Sequence, residues 1–279
     1  MTKHQIGFLR FLTVSIFFGR AWQHLFWDIP LRELLWDEEI MARPIQWLLG
    51  MDWAAYSSSL TINSWIQSFI IGWGILYVCC GLAAIFITPQ RKWLRHFLII
   101  GSISLCLLAS LYWLEKFMKI GQLLEFTIQI ATPVFLYLVV IKNQKNLLFF
   151  IKIAIALTFL GHGLYALGYY PVPAHFVQMM IDGFRISEST AFLFLKIVGM
   201  LDLIIAMSLF VPFLEKGSLI YCIIWGTMTA FARLVAHFDL MIPMESLHLW
   251  AYEVVFRLAH GGLPFLAFWM IYKRKLFST

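Results

Sequence analysis

Glu253, Arg257 and His260 fall inside an otherwise apolar stretch, Trp250 to Trp269. Their spacing of i, i+4 and i+7 puts all three on one face of a helix. An imidazole moves protons near neutral pH. A guanidinium stabilises developing negative charge, and a carboxylate orients both. Such groups are costly inside a bilayer and face a protein interior or a wet cavity, so this stretch requires polar partners. Further apolar runs supply them: Arg20 and His24 four residues apart, Arg233 and His237 four apart, then Glu125, Gln129, His162, Lys196 and Asp202. Arg20, Lys196, Arg233 and Arg257 contribute four positive charges against three negative from Glu125, Asp202 and Glu253. Unpaired, they would make a membrane fold untenable, so pairing or hydration is expected.

The elements that must position these residues follow from composition. The chain of 279 residues is 61% hydrophobic and only 13% charged, with 26 Phe and 12 Trp; soluble domains carry roughly a quarter charged residues. This is the composition of a polytopic membrane protein. Eight apolar runs are long enough to span a bilayer, at 6–27, 62–87, 95–113, 121–141, 147–168, 191–213, 217–238 and 249–272. The expected fold is all-α, with eight transmembrane helices. The first run contains Arg20 and lacks a small-residue cleavage site, which favours a retained helix over a signal peptide. The net charge of +6 sits mostly at helix ends, where basic residues set topology, and no nucleic-acid partner is expected. Cys79, Cys80, Cys106 and Cys222 lie in apolar runs without a CxxC pair, so buried free thiols are expected.

Connections alternate in charge. Lys3, then Arg91, Lys92 and Arg95, then Lys142 and Lys145, then Lys273, Arg274 and Lys275 mark one side. Segment 28–60 carries six acids and two bases, and 169–190 and 239–248 are also acidic on balance. The positive-inside rule then places both termini in the cytoplasm, in a bacterial cytoplasmic membrane. Helix direction puts nearly all the intramembrane polar residues in the outer half, with Asp202 near the midplane. Segment 28–60 alternates leucines and isoleucines with charges and carries Trp27, Trp36, Trp47 and Trp53 around it. It reads as one or two amphipathic helices on the outer face, and 169–190 as a shorter version.

That parallel points to an internal repeat of two four-helix units, 1–146 and 147–279. Glu125-x-x-x-Gln129-x-Ala131 echoes Glu253-x-x-x-Arg257-x-Ala259. Ala109 to Phe117 lines up with Ala230 to Phe238, setting Tyr112 opposite Arg233 and Lys116 opposite His237. Gly74-x-x-Tyr77 echoes Gly199-x-x-Asp202, and Gly19-Arg20 echoes Gly161-His162. An even number of helices per unit makes the copies parallel.

A four-helix unit with a glycine and a polar residue late in its first helix, an amphipathic connector and a Gly-rich second helix (Gly72, Gly74, Gly81; Gly199 in the second copy) resembles the DoxX-like and MauE-like membrane proteins. The resemblance is one of layout and covers nearly the whole chain as two fused units. It implies association with membrane redox systems, although no cysteine pair is present to carry a thiol mechanism.

On these residues the function expected is binding of a quinone-like or amphipathic ligand in a polar pocket of the outer leaflet, formed by the first, seventh and eighth spans. Quinone is the cofactor this chemistry suits. His24, His237 and His260 would carry protons, with Glu253 orienting or relaying. Arg20, Arg233, Arg257, Lys196, Asp202 and His162 would bind. Whether the ligand is turned over stays open at this point. The histidines and Glu253 are metal-ligand types, but no HExxH spacing occurs and the arginines oppose a cation, so no metal is expected. The alternative is a non-catalytic subunit of a membrane complex, with segment 28–60 as its docking surface against a partner protein; the bilayer itself is the other partner.

Overall fold

The computed structural model describes residues 1–276, with side chains through 272. Among the described residues every regular element is helical. In order these are α1 (Lys3–Phe26), α2 (Leu31–Leu35), α3 (Glu38–Leu49), α4 (Trp53–Ser57), α5 (Leu60–Phe86), a 3-10 turn (Lys92–Leu94), α6 (Arg95–Glu115), α7 (Ile120–Glu125), α8 (Thr127–Val140), α9 (Leu147–Ala166), α10 (Ala174–Phe184), α11 (Glu188–Ser208), α12 (Glu215–His237) and α13 (Pro243–Leu276). The side chains of Lys273, Arg274 and Lys275 lie outside the described set.

Seven helical stretches are long and apolar enough to cross a membrane: α5, α6 with its leading turn, α7 joined to α8, α9, α11, α12 and α13. The protein is therefore a multi-pass membrane protein. α1 has the length of a span, 24 residues, but carries Lys3, Arg10 and Arg20 and is not among the seven.

Local sequence explains where helices begin. Thr2 and Gln5 form a capping box at α1, and Asp37, Asp52, Ser59 and Ser187 each accept a backbone N–H at the start of α3, α4, α5 and α11. Each such cap satisfies one of the N–H groups that a helix start leaves free. α3 stops at Gly50, whose φ of +65° is left-handed.

α1 packs on α5, α13 and α8, while α9 packs on α11, α7, α8 and α13. α12 pairs with α13 along its length, and α6 closes against α8 and α5. One apolar core joins Leu9, Ile16 and Phe17 of α1 to Ala84 of α5, Leu136 of α8, Ile151 of α9 and Leu263 of α13. Glycines let the helices touch backbone to backbone beside the polar residues. A Cβ on Gly19 would sit 2.6 Å from the Phe256 nitrogen, and one on Gly161 would sit 2.7 Å from the Gly121 oxygen. The neighbouring residues, Arg20 and His162, are thereby held against α13 and α7.

Three features correct the expectations from sequence. Segment 28–60 is three short helices rather than one or two, and it does not simply float on the surface. Ile45 and Tyr56 are buried in a second cluster with Ile62, Ile66 and Ile70 of α5, Leu108 and Ala109 of α6, and Phe126. The stretch 121–141 is interrupted at Phe126. There the Thr158 hydroxyl of α9 enters the helical ladder, accepting from the Ile128 N–H at 3.1 Å and donating to the Leu124 carbonyl at 3.4 Å. An inserted side chain of this kind is a known cause of helix breaks. Finally, Cys80 and Cys222 are buried but Cys79 and Cys106 are exposed, because they fall on the outward faces of α5 and α6.

Candidate functional site

The polar residues gather at one end of the bundle, where α1, α6, α9 and α12 finish and α7, α11 and α13 begin. We call this the site end. At its centre is a cavity of about 290 Å³ lined by Arg20, Gln23, Tyr112, Glu115, Lys116, Glu125, Gln129, His162, His175, Arg233, Glu253, Arg257 and His260, among others. Six long elements contribute: α1, α6, α7 with α8, α9, α12 and α13.

Arg20 is 2% exposed. Its Nε and Nη2 donate to Gln129 Oε1 at 3.0 and 2.7 Å, and its Nη1 donates to Gln23 Oε1 at 2.7 Å. Its guanidinium stacks 3.7 Å from the centre of the Phe256 ring and 4.9 Å from that of Phe126. Among the described residues no carboxylate lies within ion-pairing distance of it. Amide oxygens and ring faces are its contact partners.

Arg233 Nη1 donates to Glu253 Oε1 at 2.5 Å, while Arg257 Nη2 stands 3.7 Å from Glu253 Oε2. One carboxylate therefore serves two guanidiniums, one tightly and one loosely. Across the cavity His162 Nδ1 lies 3.2 Å from Glu125 Oε1, and the His162 and His260 rings face each other at 5.7 Å. His260 Nδ1 is 3.1 Å from the Arg257 carbonyl. Lys116 and Glu115 pair at 2.8 Å. Four cations (Arg20, Lys116, Arg233, Arg257) thus line the cavity against three carboxylates (Glu115, Glu125, Glu253), leaving an excess of positive charge.

Around this cavity Glu115 Oε2, Glu125 Oε1, His162 Nε2, Tyr165 OH, Arg233 Nε and Glu253 Oε2 are buried without a well-formed hydrogen bond. Buried polar atoms in native proteins are nearly always paired. All six belong to residues that line this one cavity, so its polar walls keep hydrogen-bonding capacity that the protein itself does not use.

A second cavity of about 300 Å³ adjoins the first. Met179, Met180 and Phe184 of α10, Leu195 and Val198 of α11, and Trp225, Ala232 and Val235 of α12 form its mainly apolar walls. His162, Phe176 and Arg257 line both cavities. Phe184, Phe231 and Val235 are exposed on the outer surface of the bundle, so this compartment opens sideways. On the loop side, a groove lined by Asp28, Glu33 and Asn63 shares Tyr112 and Glu115 with the charged cavity.

Two titratable groups outside the spans respond to this setting. Burial, reinforced by repulsion from Arg233 and Arg257, lowers the His175 pKa to about 3, so this ring faces the cavity uncharged. Burial, then repulsion from Glu115, raises the pKa of Glu33.

Of the residues singled out from sequence, Arg20, Glu125, Gln129, His162, Arg233, Glu253, Arg257 and His260 line the charged cavity. The first, seventh and eighth spans alone do not build it; α7, α8 and α9 supply a whole wall. Four candidates lie elsewhere. His24 is fully buried, with Nδ1 2.7 Å from the Arg20 carbonyl and its ring against Trp73 and Tyr77. His237 stacks on Trp250 and stands 3.8 Å from Asp182 of α10, outside the cavity. Lys196 is exposed on α11, as a lysine that snorkels to the interface would be. Asp202 is 1% exposed and accepts from the Tyr221 hydroxyl at 2.7 Å, lining neither cavity. Among the described residues no three His, Cys, Asp or Glu side chains are placed to share a metal ion.

Tyr112, Lys116 and His175 line the cavity without having been sequence candidates. The repeat alignment carried a signal for two of them, setting Tyr112 and Lys116 opposite Arg233 and His237. His175 had none, being a lone histidine in the first turn of the connector helix α10. Comparison of the chain with protein-family models, with curated proteins and with solved structures finds no match.

Proposed function

We propose that this protein binds a membrane-borne amphipathic molecule with an oxygen-bearing head, a quinone being the first candidate and an anionic lipid the second. The observation that carries this reading is the wall that the two cavities share. A ligand lying past His162, Phe176 and Arg257 would place its head among cations and unpaired polar atoms and its apolar part among Met179, Met180, Trp225 and Ala232. Pockets that fix a ligand with a few polar groups and bury the rest in apolar walls are the general pattern. Arg257 is the natural head donor, because its hold on Glu253 is loose. His260 and His162 would exchange protons with head oxygens, and Glu253 keeps Arg233 in place.

The same reading includes the architecture. α1 serves as an eighth span: its Arg20 is satisfied internally, and Arg10 donates to the Ile87 carbonyl at 2.9 Å. Two four-helix units, 1–146 and 147–279, are supported by equivalent contacts. α1 packs on α5 and α13, while α9 packs on α11 and α7. A Cβ on Gly74 would meet His24 and Leu25, and one on Gly199 would meet Ala166 and Leu167, the same pairs of positions in the repeat. This layout supports a DoxX-like origin. Lys3, Arg91, Lys92, Lys142 and Lys145 lie at the end away from the site, which favours both termini in the cytoplasm and the site in the outer leaflet of a bacterial cytoplasmic membrane. Trp47, Leu48 and Leu49 of α3 are exposed and suit the headgroup region.

The test uses purified protein with three probes: a decyl-tailed benzoquinone, its tail-less parent and phosphatidylglycerol. Arg257→Ala should weaken binding of the tailed quinone or of the lipid on the order of tenfold to a hundredfold, the worth of a charge-assisted hydrogen bond. Ala232→Trp, which fills the apolar compartment, should weaken the tailed quinone and leave its parent unaffected. Saturable binding of only one of the two amphiphiles identifies the head chemistry. Failure of all probes to saturate, or indifference to both substitutions, overturns the reading.

A further inference from the structure

Asp202 is the buried ionisable group that the ligand site leaves unexplained. It sits on α11, 1% exposed, with no cationic partner within ion-pairing distance among the described residues. Its hydrogen bond comes from a phenol, Tyr221 of α12, at 2.7 Å. A bare carboxylate so placed inside a membrane is expensive, and intramembrane acids of this kind commonly mark proton routes.

Its surroundings lead toward the cavity. α9 crosses α11 at Gly163. A Cβ there would lie 3.0 Å from the Gly199 carbonyl oxygen and 3.2 Å from the Asp202 Cβ. Leu203 Cδ2 packs over the same glycine, 2.9 Å from that Cβ position, and the absence of a side chain at 163 brings Asp202 against the residue that follows His162. His162 lines both cavities, and its Nε2 is buried without a partner, while its Nδ1 lies 3.2 Å from Glu125 Oε1. From α12, Tyr221 faces the carboxyl, with Cys222 and Trp225 beside it.

We infer that Asp202 and Tyr221 form a proton store that exchanges with the charged cavity through His162. The protonated Asp202 carboxyl gives its proton to His162 Nε2, and the imidazolium passes the Nδ1 proton to Glu125 or to a head oxygen. The Asp202 carboxylate left behind is held by the Tyr221 hydroxyl until the reverse transfer restores it. No electron moves and no other reactant is consumed. A purely structural role, as an interhelical hydrogen bond, would need only an acceptor for Tyr221, which asparagine also supplies.

The inference rests on the charged cavity being a working site, yet its test requires no ligand. Infrared spectra of the purified protein should contain a protonated-carboxyl band that Asp202→Asn removes and Tyr221→Phe shifts, and that fades as the pH is raised. On transfer to heavy water that band should exchange quickly in the wild type. In His162→Leu it should exchange more slowly, on the order of 100-fold, the usual worth of a positioned acid or base. Should His162→Leu not fold, His162→Phe makes the same cut. Lys196→Gln, on the same helix as Asp202 but exposed and outside both cavities, should leave the exchange rate unchanged, and because no ligand is present in this assay either reading can fail alone. Absence of a band belonging to Asp202 at every pH, exchange as fast without His162 as with it, or exchange slowed as much by Lys196→Gln overturns the inference.

Discussion

Glu253→Gln separates a working charge cluster from inert glue. Glu253 answers two guanidiniums, Arg233 at 2.5 Å and Arg257 at 3.7 Å. The substitution preserves shape and one acceptor but removes the charge, so the cavity wall passes from four cations against three carboxylates to four against two. Breaking a buried ion pair by neutralising one partner costs about 3–5 kcal/mol. The Arg233 and Arg257 side chains are 20% and 22% exposed and Gln can still accept from Arg233, so the lower end applies, about 3 kcal/mol. Reversible unfolding in mixed detergent micelles would measure it. In a double-mutant cycle with Arg233→Gln, the coupling should be about 1.5 kcal/mol. The same substitution frees Arg257, so affinity for the amphiphilic probe that binds should rise, on the order of tenfold, while stability falls. A coupling below about 0.5 kcal/mol would show that the Arg233–Glu253 contact is solvated like a surface pair. Parallel loss of stability and affinity would refute the assignment of Arg257 to the ligand.

Two further outcomes are expected. Gly199→Ala puts a methyl 2.3 Å from the Leu167 nitrogen and should destabilise the bundle by about 1–3 kcal/mol through overpacking, whereas Gly72→Ala, with nothing within 4 Å, should be neutral or slightly stabilising in the same unfolding assay. His175, at about 3 instead of 6.5, stays neutral when folded while the unfolded chain takes up a proton below 6.5; the unfolded state gains as pH falls through this window, and His175→Asn should flatten the loss of stability between about pH 6.5 and about pH 3 in denaturant titrations.

The positions of the long helices were legible because a bilayer demands long apolar runs and punishes exceptions. The same rule exposed Arg20, Glu125, Arg233, Glu253, Arg257 and His260, charged or titratable groups that stand out in apolar sequence. What sequence could not convey is direction around the helix axis. His24 is one turn from Arg20, yet its ring turns to Trp73 and Tyr77, while Arg20 reaches over to Gln129. Likewise His237, one turn from Arg233, stacks on Trp250. The break at Phe126 was hidden because its cause, Thr158, lies on another helix. The apolar compartment was hidden too, since Met179, Met180 and Trp225 read as ordinary core or lipid-facing residues.

That threonine also sets an order of events during synthesis. Until α9 has arrived, the Ile128 N–H and Leu124 carbonyl lack the hydroxyl that joins them, and an unsatisfied backbone group in hydrocarbon costs several kcal/mol. The N-terminal half therefore waits in the membrane with its fourth helix unsettled, or closes it differently, until residues after Asn146 emerge. Thr158 and His162 stand one turn apart on α9, so the arrival that settles the helix also brings the imidazole up to Glu125. Two fragments cut between α8 and α9 would each lack what the other completes at this junction.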